Sequence, residues 1–118
     1  MTMPDEQQIV PQPKVKINGK KHNNRAEGIV YNYFREKGYS VVLGRYISDE
    51  IGAPDFLVEK DKEKFWVEVK TIMGSLSCEQ LLWMAKYPED DVFIAIPREG
   101  AGPHTIRVLS IKVVECNA

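Results

Sequence analysis

The sequence predicts an α/β domain whose elements run helix, three strands, helix, two strands. Two stretches carry apolar residues at helical spacing between capping residues and a helix-ending Gly or Pro. Five short runs rich in β-branched and aromatic residues have strand length and are bounded by turn residues. Size agrees with one core: the chain has 118 residues, 43% hydrophobic and 28% charged, as an ordinary globular domain does.

Residues 1–23 are expected to form a flexible basic arm, because Pro4, Pro11 and Pro13 sit among polar residues. Within it, Val15-Lys16-Ile17 before Asn18-Gly19 suits a short hairpin. The folded domain is then 24–118. Ala26, Ile29, Val30, Tyr33 and Phe34 recur at helical spacing, so a helix is expected over about 25–37. Asn24 is its cap, with Glu27 three residues on, and Gly38 is its C-terminal glycine. Glu27 has two readings: a capping-box carboxylate, or an acid at the edge of the apolar stripe that reaches a site beside the core.

Tyr39 to Ile47 reads as the first strand, and Ser48 to Ala53 as an acidic loop leading to Pro54. Strands over 55–59 and 64–71 flank the charged turn Lys60-Asp61-Lys62-Glu63. Ser77 followed by Gln80 is a capping box, so a second helix starts there, with Leu81, Leu82, Ala85 and Tyr87 as its core stripe and Pro88 as its end. Trp83 and Met84 read as packing residues. Asp91 to Pro97 is a buried strand, His104 to Leu109 alternates as another, and Ile111 to Glu115 is a short closing element.

Three charges break into the apolar runs of the central hairpin: Asp55, Glu68 and Lys70. Side chains alternate along a strand, so Glu68 and Lys70 share one face while Phe65, Val67 and Val69 take the other. Asp55, at the start of the preceding strand, is expected across from Glu68. Two carboxylates and an ammonium among apolar neighbours need a metal or an ion pair to be tolerated. Gln80, in the first turn of the second helix, is either a cap or an amide placed over this cluster.

Composition excludes several classes. Cys78 and Cys116 are the only cysteines and form no CxxC pair, so neither a disulfide framework nor a zinc site is indicated. His22 and His104 stand alone, without metal-ligand spacing. No apolar run approaches the roughly 20 residues of a membrane span, and the N-terminal residues lack signal-peptide character, so a cytoplasmic protein is expected. Net charge is −1, yet Lys14, Lys16, Lys20, Lys21 and Arg25 lie together with no acid among them. That basic stretch suits nucleic-acid phosphates; a solvated tail explains it equally well.

The element order, Pro54-Asp55, Glu68-x-Lys70 on the third strand, the helical Glu27 upstream and Ser77-x-x-Gln80 downstream together resemble the PD-(D/E)XK nuclease superfamily. Within it, the compact architecture is similar to archaeal Holliday-junction resolvases and to small viral and phage-type nucleases. The resemblance covers about residues 24–109 and implies the restriction-endonuclease-like fold, a central mixed sheet of four to five strands flanked by helices. It further implies that Asp55 and Glu68 are metal ligands, that Lys70 is the catalytic lysine, and that Glu27 and Gln80 match the helical acid and helix glutamine of several branches.

Such a site would take Mg²⁺ or Mn²⁺, with the two carboxylates and a backbone carbonyl, that of Val69, as oxygen ligands. The expected reaction is phosphodiester hydrolysis of DNA, structure-selective, in repair, recombination or viral replication. The expected assembly is a homodimer that doubles the phosphate contacts and buries Trp83 or Ile111 between copies. Two alternatives stay open: a non-catalytic nucleic-acid-binding or assembly protein on the same fold, and a structural subunit in which Asp55, Lys70 and Glu68 form a buried ion network.

Overall fold

The computed structural model describes residues 21–98, 105–114 and 116. Helix α1 (Lys21–Glu36) is followed by β1 (Ser40–Leu43), a 3-10 turn at Gly44–Tyr46, β2 (Phe56–Lys60) and β3 (Glu63–Val69). Helix α2 (Cys78–Lys86) then leads to β4 (Val92–Pro97) and β5 (Ile106–Ile111). The five strands form one mixed sheet in the order β1-β2-β3-β4-β5, antiparallel except for the parallel pair β3/β4. A parallel neighbour requires a crossover, and α2 supplies it. The expected α/β order of elements is thus the observed one.

The two helices lie on opposite faces, and strand alternation decides what each covers. Ala26, Val30 and Phe34 of α1 meet Phe56, Val58, Val67, Val69 and Ala95. Trp83 and Met84 of α2 meet Trp66, Val92 and Ile94 from the other side. Val30, Val58 and Val67 are fully buried, each worth about 1.5–3 kcal/mol relative to exposure. On β3, Phe65, Val67 and Val69 face α1, which leaves Trp66 and Glu68 facing α2.

Several boundaries move. Helix α1 already includes Lys21, so Lys21 and Arg25 of the expected basic arm are helical and Asn24 is not its cap. Residues 21–24 hold no Gly or Pro, and extending a formed helix costs little compared with starting one. Lys14, Lys16, Lys20, the Asn18-Gly19 hairpin and His104 lie outside the described residues. At the other end, Gly38 N–H donates to Arg35 and Tyr39 N–H to Phe34 O at 3.0 Å each. This is a Schellman ending, with Gly38 at φ 92°.

The first strand stops at Leu43 rather than Ile47 because the chain turns at Gly44. Gly44 N–H donates to Asp55 O at 2.6 Å, and a Cβ on Gly44 would stand 2.0 Å from Pro54 O. Residues 112–114 are irregular, so the closing element after Ile111 is absent there.

The core stripe of α2 is also shifted. Leu81 and Leu82 are exposed, at 51% and 64%, and Trp83 and Met84 are the buried pair. The capping box fixes this phase: Gln80 is turned toward the sheet, so residues three, four and seven positions on, Trp83, Met84 and Tyr87, follow it inward. Trp83 is 4% exposed and Ile111 half-buried, so neither offers the exposed dimer patch expected of it. Among the described residues, no helix is long and apolar enough to cross a membrane.

Gly44→Ala should lower stability by about 1–3 kcal/mol or more, since its Cβ meets backbone that cannot give way. Gly28→Ala, whose Cβ has open space on α1, should instead add up to about 1 kcal/mol through helix propensity. Urea denaturation of the two variants reads both signs.

Candidate metal and catalytic site

The site forms at the end of the sheet where β2 begins and β3 ends, between the two helices. Phe56 pairs with Val67, so the antiparallel register brings Asp55 level with Glu68, as the sequence predicts. Asp55 Oδ2 accepts a hydrogen bond from Val69 N–H at 2.8 Å. The Asp55 and Glu68 carboxyls influence one another's ionisation. Lys70 Nζ lies 3.4 Å from Glu68 Oε2, and Lys70 N–H ties the end of β3 to β4 through Ala95 O at 3.0 Å.

Gln80 performs both roles left open for it. Its Oε1 accepts from Ser77 N–H at 2.8 Å while Ser77 Oγ accepts from Gln80 N–H at 3.1 Å, completing the capping box. Its Nε2 donates to Glu68 Oε2 at 2.7 Å. The cap therefore aims the amide: with its oxygen held by the helix start, the NH₂ is presented to the sheet. A second device holds α2 against the site. At Gly52, φ 93°, an added Cβ would stand 2.2 Å from Glu79 O, so the 48–53 loop lies directly on the first turn of α2. The same loop grips the far end of the helix, where Lys86 Nζ and Tyr87 OH donate to Glu50.

Glu27 comes from the α1 side. Asn24 lies inside the helix, so Glu27 is not a capping-box residue; its carboxyl instead feels the charge of Asp55 and, with opposite sign, that of Arg45. The structure thus groups Asp55, Glu68, Lys70 and Gln80 directly and sets Glu27 beside Asp55. Among the described residues, no three His, Cys, Asp or Glu side chains are grouped closely enough to cage a metal by themselves. Arg45 was hidden within a run that reads as strand. The signal that could have found it is Gly44, since a glycine interrupting a strand pattern marks a bend or a close backbone approach.

Burial dominates the electrostatics. Glu68 is 3% exposed, and burial, followed by the Asp55 charge, pushes its pKa to about 8 against the pull of Lys70. Burial, then Asp55, raises Glu27 to about 7, with Arg45 opposing. Asp55 is also raised by burial, while the Val69 N–H and Lys70 favour its ionised form. These shifts report first the burial of the three carboxyls and only second the repulsion that Asp55 exerts on Glu27 and Glu68.

The consequence for stability has a definite sign. A carboxyl whose pKa is raised on folding holds its proton where the unfolded chain has released it, so folding stability falls as pH rises. The window runs from the ordinary glutamate value of 4.5 to about 7 for Glu27 and to about 8 for Glu68. The protein in chelator should show its highest Tm near the low end of that window and lose stability steadily to its upper end. Glu68→Gln should flatten the profile, and a Tm independent of pH in the parent would contradict the raised pKa values of the buried carboxyls. No family model matches the chain, and no curated protein matches it.

Proposed function

We propose that this chain is a metal-dependent nuclease of the PD-(D/E)XK type that hydrolyses phosphodiester bonds in DNA. The observation that supports it above the others is the buried Glu68 carboxyl, bonded to Gln80 and Lys70 and set against Asp55. Paired carboxyls in a core cost stability unless something compensates them, and perturbed acids gathered at one place are characteristic of functional sites.

The donor set fits a hard divalent cation. Every candidate ligand is an oxygen, and Mg²⁺ is commonly held by one or two carboxylates while it keeps several waters, so a closed three-acid cage is not required. Asp55, Glu68 and the Val69 carbonyl would hold it, with Glu27 on the α1 side. When bound, the ion would supply Lewis-acid stabilisation and lower the pKa of a water.

The chain's own residues prepare the rest. Gln80 and Lys70 both engage Glu68 Oε2 and the Val69 N–H engages Asp55 Oδ2, so donors orient one oxygen of each carboxyl and the partner oxygens are those a cation would take. The Lys70 ammonium, fixed beside Glu68, is suited to stabilising negative charge on a phosphate in the transition state. For assembly the proposal is a C2 homodimer, which sedimentation at micromolar concentration decides.

A Mn²⁺-dependent cleavage panel of duplex, single-stranded, flap and four-way-junction DNA tests the activity. Asp55→Ala, Glu68→Ala and Lys70→Ala should each lower cleavage by at least about 10²–10³-fold with the fold retained, and full activity in Glu68→Ala would end the proposal. Calorimetry supplies an independent readout: Mn²⁺ should bind the parent and not Asp55→Ala, whereas a purely structural ion network binds in neither. Glu27→Gln, which removes charge but keeps shape, should weaken both binding and cleavage.

A further inference from the structure

The 3-10 turn Gly44–Tyr46 is joined to the candidate site by backbone. Gly44 N–H donates to the carbonyl of Asp55 at 2.6 Å, and Gly44 lies so close to Pro54 that no side chain fits between them. The turn closes on itself as Ile47 and Ser48 N–H both donate to Gly44 O at 2.9 Å. Arg45 and Tyr46 therefore project from a backbone that is fixed relative to Asp55. Both are exposed, Tyr46 at 73%, and neighbouring Ile47 is 51% exposed. The Arg45 guanidinium stands over the Tyr46 ring, 5.6 Å from its centroid, and its charge is felt at Glu27.

The Arg45–Tyr46 pair is an exposed cation stacked on an exposed aromatic, on a turn whose backbone is bonded to that of Asp55. Neither side chain adds to the core. The pairing is what a polynucleotide strand needs: a cation for the backbone and a ring on which any base can stack. A base is available for stacking only when it is unpaired; in a duplex its faces are covered by its neighbours.

We propose that the Arg45–Tyr46 turn holds an unpaired nucleotide of the substrate, Arg45 on a phosphate next to the one at the carboxylates and Tyr46 stacked on the base. This rests on the nuclease reading of Asp55, Glu68 and Lys70, and it narrows the substrate class to strands with exposed bases, whether single-stranded or at a branch. Arg45 also offsets part of the negative field of the acids, which would otherwise repel the incoming phosphates.

Fluorescence anisotropy of a labelled ten-nucleotide oligothymidylate and of a duplex of equal length, both in Ca²⁺, tests it, alongside cleavage of the same strands in Mn²⁺. Tyr46→Ala should weaken binding of the single strand about tenfold and leave the duplex unchanged, while Tyr46→Phe, which keeps the ring, should bind as the parent does. Arg45→Ala should weaken both and reduce the slope of log affinity against log salt by about one. Tyr46→Ala binding the single strand like the parent, losing both substrates equally, or no measurable binding by the parent would each overturn the proposal. Tyr46-dependent binding without any cleavage would instead overturn the nuclease reading and leave the nucleotide-holding turn standing.

Discussion

The burial of one carboxyl, that of Glu68, constrains the structure around it. A glutamate on the central strand of a sheet, covered by a helix, loses its hydration and must be given hydrogen bonds in return. Gln80 supplies one from the first turn of α2, and Lys70 adds an ion pair from the same strand face. Neither is placed by chance. Gln80 is held because its own oxygen caps the helix, and Lys70 is held because its backbone continues the ladder to β4.

The helix that carries Gln80 is short, and nine residues do not form a stable helix alone. Its position rests on packing of Trp83 and Met84 against Trp66 and Ile94, and on the 48–53 loop. That loop lies against the first turn at Gly52 and engages the last turn through Glu50. Of its acidic residues, Glu50 is turned to α2 and bonded to Lys86 and Tyr87. The acid serves the scaffold, and the loop's charge is partly neutralised where it meets the helix.

The same backbone that fixes Asp55 fixes the turn before it. Because Gly44 docks on Pro54 and Asp55, the strand that would have run on to Ile47 ends at Leu43. Arg45 and Tyr46 thereby leave the sheet, and the Arg45 charge is felt at Glu27. One close backbone approach therefore both shortens β1 and adds a cation to a place where acids predominate.

The sequence by itself determined the order of elements, the capping box at Ser77 and the facing of Glu68 and Lys70 together, because alternation and capping are local properties of a few adjacent residues. It also determined that Asp55 is level with Glu68, since a tight hairpin leaves little freedom of register. Tertiary structure decided what depends on approach between distant segments. Asn24 and Glu27 spell a capping box in either case, and only the extension of α1 back to Lys21 shows that Glu27 is free to face Asp55. Leu81 and Leu82 read as core as readily as Trp83 and Met84, and the phase of α2 was settled by Gln80 turning to Glu68. The end of β1, and with it the place of Arg45, was decided by a backbone contact between Gly44 and Pro54, a matter of shape that no periodicity in the sequence encodes.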